Sequence, residues 1–508
     1  MNNFIKILTG IILISMLSLV WRPSSILVSR PLTEDGYYSL TVARNWAQGK
    51  GITIDGVVKT NGFQPLFTFL TSIVFLIEFR DVTNSLRLIL ALHWIVYVLT
   101  ILFLSLITTD YFPRTINGDR DTLGWCVIFC YSVSVLTFLI HFNGLESGLL
   151  LLIFCVIWYL YQRGVFEKDR GRFLLGVLCG FMVLCRIDTV FFCGFLILQP
   201  LFVKGYGFSE KFRKVLFSSI SVIVISSPWW AYNYLYFGSI VPISGKAQQL
   251  WGIFPDRIWY AVSAITKVML PFVYLGASKF EMWFIDIIRI VLSVLILKPV
   301  VNFIRMKRSI DDEETSIRKQ RSLVFLSTAA ISMVIVVIWY TASSFAVWFY
   351  PRYFSPIIIF ITPLYGVALW WMIQQKYKYL NWGMFLLTIP ILSTIFLMYI
   401  GNIPNEYYED QLRMIENVVP ADDVVGAYQT GTLGFFRDGV INLDGKVNPE
   451  ALLHKDHTME YVQMKKIRWL CDWKWKIEDL LRGAAVESDW QFIAQRGNFV
   501  LYKYSRVY

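Results

Sequence analysis

Residues 32–45 read LTEDGYYSLTVARN, and the reading of this stretch decides the fold. Two adjacent carboxylates, Glu34 and Asp35, precede a run in which Tyr37, Thr41, Arg44 and Gln48 recur at helical spacing, and Gly49 and Gly51 close it. Negative charge at a helix N-terminus is favoured by the backbone dipole, so an acidic helix start is the plain explanation of the pair. The surroundings make that explanation incomplete. The stretch follows a short apolar N-terminus, Ile5 to Trp21, and precedes several hundred residues of membrane-grade sequence.

Of 508 residues 56% are apolar and only 16% charged, with a mean hydropathy of +0.53. Soluble domains carry about 25% charged residues, so the chain reads as an integral membrane protein. Ile5–Trp21 is led by a single Lys6 and has no small-residue cleavage site after it, which makes it a retained first span rather than a signal peptide. The net charge of +11 lies largely in loops between spans, where the positive-inside rule accounts for it without nucleic acid. Six of the seven cysteines lie in or beside apolar segments, only Cys471 in a polar one, and no CxxC is present. They read as small core residues.

Windows of about 20 apolar residues pick out 86–108, 122–141, 145–161, 215–236, 284–303, 322–341, 356–373 and 382–400. The stretch 173–203 holds two short spans with Arg186 and Asp188 at the bend. Loops 162–172 and 204–214 carry four Lys or Arg each, 304–321 carries six and 374–380 two. With all four inside, the loops 109–121 and 141–147 fall inside and outside respectively. Segment 63–79 then has both ends outside and reads as a re-entrant or interfacial helix, while 259–279, which contains Lys267, lies flat on the outer face. The expectation is an all-α polytopic membrane protein of about 11 transmembrane helices over residues 1–400, N-terminus cytoplasmic, with a multi-pass location in the plasma (inner) membrane. The outer face collects 22–62, 141–147, the bend at 186–188, 237–283, 341–355 and the tail 401–508.

Several ionisable groups meet there. Glu146 in HFNGLESG is either a helix cap or part of a site. Lys246 in SGKAQ and Arg352 in WFYPRYFSP sit among aromatics at the expected membrane boundary. Such cations either anchor the interface or bind a lipid phosphate, Arg through paired donors and Lys as a point charge. His93, His141, His454 and His457 form no convincing ligand set.

The stretch TEDGYYSLTVARNWAQGKGITIDGVVKTNGFQPLFTFL (33–70) resembles the first outer loop of polyprenyl-phosphate-sugar-dependent glycosyltransferases of the GT-C fold. It is most similar to the bacterial arabinofuranosyltransferases and, more distantly, to the aminoarabinose transferase of lipid A and the protein O-mannosyltransferases. HFNGLESG resembles their second outer loop and WFYPRYFSP their later Arg-Tyr-x-x-Pro element. The resemblance implies Asp35 as general base, Glu34 as its variable neighbour and Glu146 as the second-loop acid. Lys246 and Arg352 match phosphate binders in general position only, and Arg44, Asn61 and Tyr353 are candidates for positioning substrate. It admits a divalent cation (Mg or Mn) at Glu34, Asp35 and Glu146. Two departures stand out: the pair is Glu-Asp rather than Asp-Asp, and Gly36 replaces a commoner Ala.

The function implied is inverting transfer of a sugar from a polyprenyl-phosphate donor to a glycan, lipid or protein hydroxyl on the outer face. A transporter or flippase of a lipid-linked saccharide is the alternative, though transporters place ionisable residues at mid-membrane in paired repeats, which are not seen here. From 401 onward the composition turns soluble. DDVVGAYQTGTLGFFRDGVINLDGKVN reads as strand, Gly-bounded helix and strand, and WQFIAQRGNFVLYKY as a hairpin, giving a small extracytoplasmic α/β domain over 401–508. GTLG lacks the spacing of a dinucleotide fingerprint. The tail is a cap over the site or an acceptor-glycan binder, with Asp444, Trp473 and Trp475 as candidates.

Overall fold

The computed structural model describes residues 2–78, 81–111, 119–203, 205, 207–272, 284–292, 313–377, 379–403, 408–484 and 486–505. Among them, six helices are long and apolar enough to cross a membrane: Asn3–Trp21, Val82–Thr109, Phe208–Phe237, Glu313–Ser343, Pro356–Gln374 and Leu380–Tyr399. The apolar run at 122–141, expected to be one straight span, is instead a pair of helices bent by 71°. Hydropathy does not register the cause. Ser134 is an N-cap whose Oγ accepts from Thr137 N at 3.1 Å and donates to Pro271 O at 3.0 Å, so a new helix starts inside the apolar run. Counting that pair as one span gives up to seven, and Pro65–Ile77, Ser147–Gln162 and Ile187–Phe202 are shorter apolar helices. Of the expected span 284–303, only 284–292 is described, and it is helical.

Pro65–Ile77 has Pro at its first turn and ends at Glu78. At 1.5 Å per residue its 13 residues reach about 20 Å, against about 30 Å for a bilayer core. That length fits an interfacial or re-entrant helix. Pro255–Met269 buries Arg257, Ala261, Ala264 and Val268 along one side, as an amphipathic helix should; residues 273–279 of that expected segment lie outside the described ones.

The basic loops gather at one end. Asp110 is 2.8 Å from Arg163, 3.4 Å from Arg120 and 3.6 Å from Arg318, so loops 109–121, 162–172 and 304–321 share one carboxylate. Arg213 meets Asp169 at 3.2 Å, which adds loop 204–214, and Lys6 meets Asp121 at 2.8 Å, which adds the N-terminus. The charge parity drawn from the loops therefore has a spatial counterpart.

The tail folds as a five-stranded sheet in the order β2-β1-β3-β5-β4, with β1 Val425–Ala427, β2 Val440–Asn442, β3 Trp469–Trp473, β4 Trp490–Arg496 and β5 Phe499–Tyr504. β1 pairs in parallel with β2 and β3, and the β4–β5 hairpin closes the sheet antiparallel. The helix Gly431–Phe436 links β1 to β2 and carries the GTLG stretch. It also makes the principal joint with the rest of the chain. Phe435 and Phe436 pack on Tyr37 at 5.2 and 5.6 Å between ring centres, and the Arg44 guanidinium lies 4.9 Å over Phe435.

Candidate active site

The site is built on the helix Glu34–Ala47. Thr33 caps it: its Oγ1 accepts from Gly36 N at 3.3 Å and donates to Asn143 O at 2.9 Å, and Thr33 N donates to the same carbonyl at 3.1 Å. The first outer loop is thereby bolted to HFNGLES, whose Gly144 takes a left-handed φ of +82°. This explains Gly36. A Cβ there would lie 2.4 Å from Asn143 O, where nothing can yield without moving the loop that carries Glu146. Gly36→Ala is expected to lower stability by about 1–3 kcal/mol, in the range for overpacking. Thermal unfolding in detergent tests this; an unchanged melting point would show that the contact is looser than described.

The two adjacent acids part company at once. Glu34 is buried and turns to the tail, where Oε1 accepts from Gly431 N at 2.5 Å and Oε2 from Thr432 N at 2.8 Å and Thr432 Oγ1 at 2.6 Å. Burial pushes its carboxyl up to about 7, against the three donors that favour the ionised form. Gly431 permits the approach, since a Cβ there would be 2.2 Å from Glu34 O. Asp35 faces the other way, into a cavity of about 410 Å³.

Every stretch expected on the outer face contributes to that cavity, although the helix Pro255–Met269 lends it no residue. Asp35 comes from the first loop, Glu146 from the second, Arg186 and Asp188 from the bend, Tyr340 from the end of Glu313–Ser343, and Arg352 and Tyr353 from the following turn. Lys446 comes from the tail. Arg352 Nη1 donates to Asp35 Oδ2 at 3.3 Å and its guanidinium lies 4.7 Å over Phe349. Arg186 forks onto Asp188, with Nε donating to Oδ1 at 3.2 Å and Nη2 to Oδ2, and lies 3.9 Å from Glu146 Oε1. Tyr340 OH donates to Asp188 Oδ2 at 3.0 Å, and its ring stacks on Tyr353 at 4.1 Å. Acids and guanidiniums thus alternate along one wall with stacked tyrosines behind them, a surface matched to a phosphate beside a sugar ring.

Not all candidates reach the cavity. Lys246 is exposed on the short helix Ile243–Ala247, whose buried residues are Ile243 and Ala247, and it does not line the cavity. Arg44 donates to Phe435 O at 2.5 Å and so fastens the tail. Asn61 is fully buried, donating to Asn233 Oδ1 at 3.2 Å and accepting from Ile243 N at 3.0 Å, which pins the loop carrying Lys246 to the first outer loop. Among the described residues, no three His, Cys, Asp or Glu side chains come together as a metal site. Glu34 is committed to the tail, so Glu34, Asp35 and Glu146 do not come together as a ligand set for a divalent cation.

Three groups escaped the sequence reading. Arg186 and Asp188 stood out there only as a bend, although an Arg-x-Asp pair inside an apolar run is itself a signal of function. Lys446 had no signal at all, because LDGKVN reads as an ordinary turn. It lies 3.3 Å from Asp444. Burial opposes its charge, yet Asp444 and then Asp35 hold the ammonium above its usual range. A Cβ on Gly62 would be 2.0 Å from Lys446 O, so the two backbones touch.

No protein-family model matches the chain, and no curated protein matches it. Among solved structures it is similar to ArnT from Cupriavidus metallidurans bound to undecaprenyl phosphate, with 11% identity, a TM-score of 0.57 and 97% of each chain covered. The apo state of that protein gives 12% identity and a TM-score of 0.56, again over 97% of each chain. At such identity the likeness establishes the fold alone: over 97% of its length, tail included, this chain is built like that protein.

Proposed function

We propose that this chain is a membrane glycosyltransferase that moves a sugar from a polyprenyl-phosphate donor to an acceptor hydroxyl, with inversion at the anomeric carbon. The observation that carries the reading is the meeting of Asp35 with Arg352, Arg186 and Lys446 around one cavity. The fold neighbour bound to undecaprenyl phosphate supports a lipid carrier of that class as the donor's leaving group. By the positive-inside rule the end that gathers the basic loops is cytoplasmic, which puts the cavity and the tail outside.

The donor phosphate competes with Asp35 for Arg352 and takes Lys446 as a second cation, in the place expected for Lys246. Its arrival frees the Asp35 carboxylate for the acceptor. Asp35 then removes the hydroxyl proton as the oxygen attacks the anomeric carbon, and the bond from that carbon to the phosphate oxygen breaks. The electron pair leaves with the polyprenyl phosphate, whose charge Arg352 and Lys446 stabilise. Arg186, held by Asp188, Tyr340 and Glu146, fixes the bend that carries it, and Tyr353 offers a ring face to the sugar. Glu34, Arg44 and Asn61 act at one remove by fixing the tail and loops.

The test is a panel of polyprenyl-phosphate sugars offered to the purified protein, reading release of lipid phosphate. Lys446→Met should slow release by about 10- to 100-fold, the value of one charge-assisted contact of roughly 1.5–3 kcal/mol, while Lys246→Met stays within about twofold. Transbilayer movement of the donor without release would instead establish the flippase, and equal losses in the two lysine variants would remove Lys446 from the clamp.

A further inference from the structure

The tail carries a second cavity, of about 520 Å³, between the helix Thr458–Met464 and the helix Lys474–Gly483. Its walls are unlike those of the first. Tyr428 is half-buried at the base with the Lys476 ammonium 4.6 Å over its ring, and Asp456, His457, Glu460, Gln463 and Asp479 stand around it. Lys476 also lies 5.5 Å over the ring of Trp475, which is 66% exposed and stands beside the cavity rather than in its lining. Aromatic faces amid donors and acceptors are what a sugar needs: C–H faces against rings, hydroxyls against polar tips.

Two facts narrow the ligand. The lining lysines, Lys455 and Lys476, face three carboxylates, Asp456, Glu460 and Asp479, so a phosphorylated or carboxylated ligand would meet like charge. The cavity is also tied to the active site through hydrogen bonds at Tyr38, although no residue lines both. Tyr38 lines the first cavity, and its OH donates to the Tyr428 carbonyl at 3.4 Å and accepts from Thr430 N at 3.0 Å. One residue therefore presents its side chain to the second cavity and its backbone to a residue of the first.

We propose that the second cavity is an acceptor subsite for a neutral oligosaccharide, holding sugars back from the end that enters the first cavity. This rests on the glycosyltransferase reading and names its acceptor class. The other tail candidates serve structure: Trp473 stacks on Phe499 at 4.5 Å and Asp444 holds Lys446.

The experiment is equilibrium binding of neutral linear hexasaccharides (glucan, mannan, galactan and arabinan) and of phosphorylated maltohexaose to the full-length protein in detergent. At least one neutral hexasaccharide should bind, and Lys476→Ala and Asp479→Asn should each weaken it by tenfold or more with the melting temperature unchanged. Both residues are solvent-accessible enough to be replaced without opening the core. The subsite is overturned if no neutral hexasaccharide binds, if both variants bind like the parent, or if the phosphorylated sugar binds more tightly. Release of lipid phosphate from the donor panel is measured alongside. Binding without release in any donor sinks the transferase reading, whereas release without binding sinks only the subsite.

Discussion

Asp35→Asn is expected to lower turnover by about 10³-fold, within the roughly 10²–10⁴ that a positioned general base supplies. The substitution keeps the size of the side chain and removes the charge, so the cavity retains its shape and the donor still finds Arg352 and Lys446. Donor binding should hold or tighten slightly, because Arg352 loses the carboxylate that competes with phosphate. Melting in detergent should stay close to the parent, since Asp35 is partly exposed, with a side chain 25% accessible. The same change at Glu34 should behave differently. Glu34→Gln replaces a carboxylate that accepts three hydrogen bonds from the tail, so any loss of activity should track loss of stability. Asp35→Asn turning over within tenfold of the parent would falsify the base assignment, and a catalytic defect at Glu34 without a stability defect would return the role to Glu34.

Arg186→Met should produce the largest loss of stability. Arg186 has 3% of its surface exposed and stands between Glu146, itself buried, and Asp188, whose side chain is 9% accessible. Methionine fills much the same volume but removes the guanidinium that stands between Asp188 and Glu146. Removing one partner of a buried ion pair costs about 3–5 kcal/mol, because the remaining charge is neither solvated nor paired. Asp188→Asn added to Arg186→Met should recover much of that loss, since Tyr340 can still donate to an amide oxygen. Unfolding followed by tail and core fluorescence reads both variants. A single variant within 1 kcal/mol of the parent, or a double variant worse than the single, means that the network is not held by charge.

The parts of the fold legible in the sequence were those written in local chemistry. Long apolar runs announced the six membrane-length helices found among the described residues, though not the eleven spans expected; loop charge rather than length set 63–79 apart from them, and Gly-bounded strand patterns announced β1, β2 and the β4–β5 hairpin. Lys and Arg in the loops announced which loops share an end, and Asp110 with its three arginines gives that end its form. The break at Ser134 was hidden because an N-cap is one hydroxyl in an apolar window. Lys446 was hidden because nothing within the tail says which side of a turn meets another part of the chain.

The sequence by itself determined the class of the molecule, the polar stretches from which the site is drawn, and Asp35, Glu146 and Arg352 as groups worth bringing together. Periodicity and charge act over a few residues or a single loop, and these features need nothing longer. Only the tertiary structure decided the division of labour within TEDG. Glu34 and Asp35 are neighbours on one helical turn, about 100° apart around its axis, and that rotation sends one carboxylate to the tail's helix at Gly431 and the other into the cavity. Which side meets which partner depends on Gly36 seating against Asn143 and Gly431 against Glu34, contacts between residues more than a hundred positions apart that no local pattern can carry.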